Sequence, residues 1–218
     1  MSFSERPVYQ DVQVADITSV KPKSAPSRAA IKLIKPNDAR RAHGNEIACD
    51  DGSRWKYNKD CAITVTATMS EFIMQPDDLP GTGRWLRREG FADLKFAIGF
   101  ATADATVLAT LPTGCTLRSL GGYWEPTTSF SGGASSAIGL SGPSPHNSKG
   151  DLLGGSGGDV AAALTAGAMR RATVGTDQAA GIMLTAGDTI KFDQVVSAFT
   201  AGAGYVHLQV QIILNLGA

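Results

Sequence analysis

The run Gly204-Tyr205-Val206-His207-Leu208-Gln209-Val210-Gln211-Ile212-Ile213-Leu214-Asn215-Leu216 sets the fold class. Val206, Leu208, Val210, Ile212 and Leu214 share one parity, while Tyr205, His207, Gln209, Gln211 and Ile213 share the other. Successive side chains of a strand point to opposite faces, so this is a half-buried antiparallel strand with one apolar side. Working back along the chain, residues 95–100, 105–111, 116–124, 136–140, 181–184 and 189–194 form further short apolar or β-branched runs, most of them bounded by Gly, Pro, Asn, Asp or Ser. Only residues 160–169 have a helical composition, and Gly167 inside that run limits it to a short helix or none. Seven or eight strands in some 120 residues predict a two-sheet sandwich or jelly roll.

The earlier part of the chain differs in chemistry. Residues 1–94 carry 27 of the 40 charged residues but only 5 of the 25 glycines, a shift that divides the chain in two. Runs at 29–34 and 63–68, separated by turn clusters such as Lys35-Pro36-Asn37-Asp38 and Asp50-Asp51-Gly52-Ser53, predict strands joined by turns. Arg84-Trp85-Leu86-Arg87-Arg88 predicts a short last strand whose Trp85 and Leu86 face opposite ways. Trp55 and Trp85 are expected in the core of this module. Residues before 27 show no sustained period and carry Pro22 and Pro26, which cannot donate to a ladder. The predicted organisation is all-β: an extended N-terminal arm (1–26), a small β module (27–94), and a Gly-rich antiparallel, jelly-roll-like β-sandwich (95–218).

Composition excludes several functions. Zero formal net charge and 18% charged residues give no long-range attraction to nucleic acid or to an anionic membrane. The longest apolar runs fall far short of the roughly 20 residues of a spanning helix. A neutral, charge-poor surface suits a subunit packed against neighbours. Cys49, Cys61 and Cys115 are too few and too scattered for a disulfide framework and read as buried thiols made in a reducing compartment. The start, Met1-Ser2-Phe3-Ser4-Glu5-Arg6, has no apolar stretch behind a basic one, so no secretory signal is expected.

Chemistry-bearing motifs are weak. Gly154-Gly155-Ser156-Gly157-Gly158 meets the G-x-S-x-G pattern, with Asp188 and His207 downstream in hydrolase order. A nucleophile elbow needs a parallel sheet of alternating strands and helices, which the sequence lacks, so the run reads as a glycine loop. His43, Cys49 and Cys61 lack the spacing of zinc ligands. Asp50-Asp51 and Asp77-Asp78 sit in turn sequences, where carboxylates cap backbone amides. Arg40-Arg41, Arg87-Arg88 and Arg170-Arg171 read as ion-pairing residues within or between subunits. No catalytic residue, cofactor or metal is expected, and the chain is not expected to be an enzyme.

Two sets of residues carry a resemblance. Asp51-Gly52-Ser53-Arg54-Trp55-Lys56-Tyr57 with Gly81-Thr82-Gly83-Arg84-Trp85-Leu86-Arg87 resembles small β modules of tailed-bacteriophage structural proteins. Leu111-Pro112-Thr113-Gly114-Cys115-Thr116-Leu117, residues 127–140, Leu184-Thr185-Ala186-Gly187-Asp188-Thr189-Ile190 and Ala201-Gly202-Ala203-Gly204-Tyr205 are similar to sandwich domains of phage capsid decoration (cement) proteins and head fibres. The resemblance implies a virion structural protein on the capsid exterior, assembled in the host cytoplasm. Its implied partners are the major capsid protein and further copies of itself as a homotrimer, with no nucleic acid and no membrane. Tyr9, Val12, Val14 and Ile17 are the expected shell or subunit contacts. A head-fibre or receptor-binding protein that meets host glycan through Trp124 and residues 127–136 is the alternative, and a neck or tail-junction component would differ in copy number.

Overall fold

The computed structural model describes residues 25–78, 81–88, 90–132, 135–155, 159–174, 181–195 and 198–214. The expected arm contacts Tyr9, Val12, Val14 and Ile17 lie outside the described residues, as does Ser156. Among the described residues, beyond one short helix and isolated 3-10 turns, the regular structure is antiparallel sheet, arranged in three sheets.

The first sheet belongs to the module. Strands β1 (Glu46–Ala48), β2 (Arg54–Asn58), β3 (Ile73–Met74) and β4 (Arg84–Arg87) lie in the order β1-β2-β4-β3. The parity expected at β4 holds: Trp85 joins a cluster with Trp55, Tyr57, Met74, Cys49, Ile31 and Ile34, while Leu86 enters the main core on the other side. Two expected strands are absent. Residues 29–34 are mostly helical: α1 (Arg28–Lys32) starts where the Ser27 hydroxyl accepts from the Ala30 amide at 3.2 Å. Ile31 and Ile34 are buried and Leu33 is exposed, a spacing of three that fits one helical turn. Residues 63–66 run without a ladder partner. Ile63 and Val65 pack against the main core, and a 3-10 turn follows at Ala67–Met69.

The sandwich is built from the other two sheets. The long-stranded sheet contains β5 (Gly90–Gly99), β7 (Cys115–Gly132), β10 (Arg170–Arg171), β11 (Met183–Leu184) and β13 (Phe199–Leu214), in the order β10-β7-β13-β5 with β11 also on β7. Opposite lies the short-stranded sheet, β6-β12-β8-β9, from β6 (Thr106–Thr110), β8 (Ala137–Ser141), β9 (Leu153–Gly154) and β12 (Thr189–Val195). Between them Leu94, Phe96, Ile98, Leu117, Val206, Leu208, Val210 and Ile212 meet Ala109, Ile138, Leu140, Leu153, Ile190 and Phe192 in one core. Phe72, Ile73, Leu86 and Cys61 of the module belong to that same cluster. Residues 160–169 hold only a 3-10 turn, Ala161–Ala163.

A bulge in β7 decides which side chains face the core. Before it Cys115, Leu117 and Ser119 are buried; after it Gly122, Trp124 and Pro126 are. The register against β13 slips between Gln209 and Val210, and Gly121 takes φ +113° there. The slip leaves Leu120 on the outer face. Gly122 then lies so close to β13 that an added Cβ would stand 2.1 Å from the His207 carbonyl oxygen.

Candidate functional site

The outer face of the long-stranded sheet holds a cluster of ionisable side chains from three strands. β13 presents His207 with Lys95 of β5 beside it on one flank and Tyr123 of β7 on the other. Odd-numbered residues of β5 point outward, which puts Asp93 there too, and the β7 bulge brings Tyr123 and Glu125 to the same side. His207 Nδ1 lies 2.9 Å from Asp93 Oδ2, and Nε2 lies 2.8 Å from Glu125 Oε2. The Tyr123 hydroxyl donates to Asp93 Oδ2 at 2.9 Å, and its ring stacks on the imidazole with centroids 4.2 Å apart. Lys95 Nζ donates to Glu125 Oε2 at 2.7 Å and sits 4.0 Å above the Tyr205 ring.

The electrostatics follow from these contacts. Hydrogen bonds from Lys95 and His207 hold the Glu125 carboxyl below the usual range. Burial, together with its bond to Asp93, pushes the Tyr123 phenol up to about 12, so it remains a donor. His207 is buried while both carboxylates are partly open, and each of its ring nitrogens lies within hydrogen-bond distance of one carboxylate oxygen. The arrangement ties three strands together across their outer face.

Around this cluster lies apolar surface. Gln211 stands level with Phe91 on one side and Arg118 on the other, and Met183 of β11 is level with Arg118, making one row across four strands. Phe91 is 81% exposed, and Leu120, Met183 and Ile213 are also exposed on this face. A shallow cleft of about 320 Å³ runs between Phe91, Ala92, Asp93, Leu120, Gln209 and Val210. Neither this exposed patch nor the His207 cluster was named from the sequence. Both depend on register between strands far apart in the chain, for which alternation within one strand carries no signal.

The residues singled out from the sequence are dispersed. His207 is engaged with Asp93 and Glu125, whereas Asp188 accepts from the Thr185 amide at 2.7 Å in a separate turn. Cys49 packs in the module cluster and Cys61 in the main core, with burial raising the Cys49 thiol. His43 lies near Asp60 at 3.8 Å. Among the described residues no three His, Cys, Asp or Glu side chains gather as metal ligands. Asp51 caps the Ser53 amide, and Asp78 pairs with Arg41. Arg40, Arg41, Arg87 and Arg88 pair with Asp38, Asp78, Glu71 and Glu46 respectively.

One expectation is corrected outright. Trp124 is 1% exposed and donates from Nε1 to the buried Asp159 carboxylate at 2.5 Å, so it offers no stacking surface to a sugar. Residues 127–132 beside it continue strand β7 and do not form a loop. Among the described residues no helix is long and apolar enough to cross a membrane. No family model matches the sequence, and no curated protein or solved structure matches the chain.

Proposed function

We propose that the protein is a virion structural subunit, a capsid decoration protein that binds the outer surface of the major capsid protein lattice and stabilises the head against packaged DNA. The observation that carries this reading is the outer face of the long-stranded sheet, where Phe91, Leu120, Met183 and Ile213 stand exposed in a chain of zero net charge. Several large apolar side chains exposed together on one sheet face mark a contact face. Each such face removes apolar area from water at about 25 cal/mol per Å², and a lattice repeats the contact many times. A cement subunit works by that repetition and needs no reacting group. Residues 1–26 and the charged module meet the shell and neighbouring subunits, and the sandwich associates as a homotrimer, the closed symmetry that fits a local threefold axis.

The direct test is to count copies of the chain in purified virions. The decoration reading expects a copy number comparable with that of the major capsid protein, and a Phe91→Asp, Leu120→Asp variant that leaves the shell on washing. A handful of copies at one vertex would assign the chain to the neck or tail junction, and complete absence from particles would end the virion reading.

A further inference from the structure

We infer that His207 is a proton-controlled clasp: as imidazolium it ties Asp93 of β5 to Glu125 of β7 across β13, and on losing its proton it keeps Asp93 and releases Glu125. The inference stands apart from the decoration reading, since it concerns contacts within one subunit.

Each ring nitrogen faces an oxygen that is already an acceptor. Glu125 Oε2, 2.8 Å from Nε2, also accepts from the Lys95 ammonium at 2.7 Å. Asp93 Oδ2, 2.9 Å from Nδ1, also accepts from the Tyr123 hydroxyl at 2.9 Å. An ionised carboxylate only accepts and a neutral imidazole has a single N–H, so only the imidazolium fills both contacts. The ring cannot turn away from either oxygen. Its side chain is 8% exposed, and rotation about the Cβ–Cγ bond would break its stack on Tyr123, whose plane is inclined to it by only 12°. The groups that face it are Asp93 and Lys95 from β5 and Tyr123 and Glu125 from β7, with Tyr205 two residues before it on β13 and Arg171 of β10 level with Tyr123. The Tyr123 phenol, pushed up to about 12, stays a neutral donor. Two carboxylates against imidazolium and ammonium leave the centre of the cluster neutral. Loss of the His207 proton adds one uncompensated negative charge and sets a nitrogen lone pair against a carboxylate oxygen at hydrogen-bond distance.

The two contacts are unequal, which decides the one that opens. Glu125 has a second cation in Lys95, and that pair stands at the rim with side chains 45% and 35% exposed. Asp93 has only the neutral Tyr123 hydroxyl besides His207, and its main chain is held where Arg87 Nη2 donates to its carbonyl at 3.2 Å. The single N–H of the neutral ring therefore stays on Nδ1, toward Asp93. Glu125 swings away from Nε2 and takes Lys95 with it, off the Tyr205 ring that the ammonium now covers at 4.0 Å. The outer face gains two mobile charges and an uncovered tyrosine ring, in the interval of roughly pH 5 to 8 where imidazole exchanges its proton.

NMR of the full chain with ¹⁵N in the histidine rings reads the proton and the contact separately. At pH 6 both His207 ring nitrogens are expected to carry protons, and the Lys95 side chain should show the ring-current shift of Tyr205. At pH 9 a proton should remain on Nδ1 alone, and the Lys95 shift should be largely lost in step with the imidazole. Backbone amides of the buried Leu94 and Leu208 should not follow. Glu125→Gln supplies an amide that donates to the unprotonated Nε2, so that contact should persist and the Lys95 signals should be the same at both pH values. His207→Gln removes the titrating group and should abolish the response as well. A Lys95 response that survives in His207→Gln would overturn the inference, as would a proton left on Nε2 at pH 9 or deprotonation of the ring with Lys95 unmoved. Leu94 and Leu208 shifting with the ring would also overturn it, because the whole sheet and not the clasp would then be responding.

Discussion

In the module the buried charges that close irregular backbone are guanidiniums; in the sandwich they are carboxylates. Arg84 donates to the carbonyls of Ile63, Gly81 and Gly83, each at 2.8 Å, Arg41 to that of Ile34, and Arg87 to those of Glu71 and Asp93. Across the boundary Asp159 accepts from Trp124 Nε1 and the Thr173 amide, and Asp193 from the Ser141 hydroxyl and the Gly150 amide. The difference tracks how each region makes its turns. The module has short strands and long unpaired connections that leave carbonyls to be answered, and a five-donor fork answers several at once. The sandwich has long ladders broken by tight glycine turns, where inward-facing amides are left, and an acceptor-only carboxylate suits them. The two regions reach one stable molecule by different satisfaction of the same backbone.

The sharpest way to break the comparison is at the ladders. Gly122→Ala places a methyl carbon on the His207 carbonyl of the neighbouring strand, and main chain cannot yield as a side chain can. The expected cost exceeds about 4 kcal/mol and should abolish the folded sandwich, as judged by soluble yield and circular dichroism. Gly44→Ala in the module meets open space and should cost only about 1–2 kcal/mol, from its positive φ alone.

Next comes the module's own core. Trp85→Ala empties a fully buried site beside Trp55 and Tyr57 and should cost about 3–5 kcal/mol in denaturant unfolding. Because the Phe72, Ile73 and Leu86 side of the module lies in the main cluster, a single transition is expected; two separated transitions would show that the regions unfold independently. Arg84→Met keeps the length of the side chain and leaves three carbonyls unanswered, so a loss of about 2–4 kcal/mol is expected. A loss near zero would mean that water replaces the guanidinium, and that the charge contrast between regions is ornamental.

Legibility in the sequence followed the same divide. β13 could be read residue by residue, because alternation is a property of one strand in isolation. In the module's 29–34 run Ile31 and Leu33 suit a strand by composition, whereas the Ser27 cap and the Ile31/Ile34 spacing select a helical turn. Residues 63–68 carry β-branched side chains but no ladder; Arg84 takes the Ile63 carbonyl that a strand partner would have used. The glycan alternative needs Trp124 on the outer face, and the β7 bulge that sets its inward parity is visible only as Leu120-Gly121-Gly122 once the partner strand is known. The His207 cluster spans positions 93, 125 and 207, and only register brings them together.

The smallest expected effect is also the one that isolates the sign of the charge. Burial raises the Asp193 carboxyl above its ordinary value, while the hydrogen bond from Arg41 lowers that of Asp78. A raised carboxyl contributes stability below the unfolded value of about 3.9 and loses it as pH rises through the folded value; a lowered one contributes above about 3.9 and loses it as pH falls. Asp193→Asn can keep both of its bonds, since the amide oxygen accepts from Gly150 and the Ser141 hydroxyl can turn to accept from the amide nitrogen. It should therefore raise Tm at pH 7 and change little near pH 3. Asp78→Asn should do the reverse, lowering Tm at pH 7 and converging with the parent in acid. Tm curves from pH 3 to 8 that shift in the same direction for both variants would show that the carboxylates of the two regions are not opposed, and that burial at Asp193 is offset by its donors.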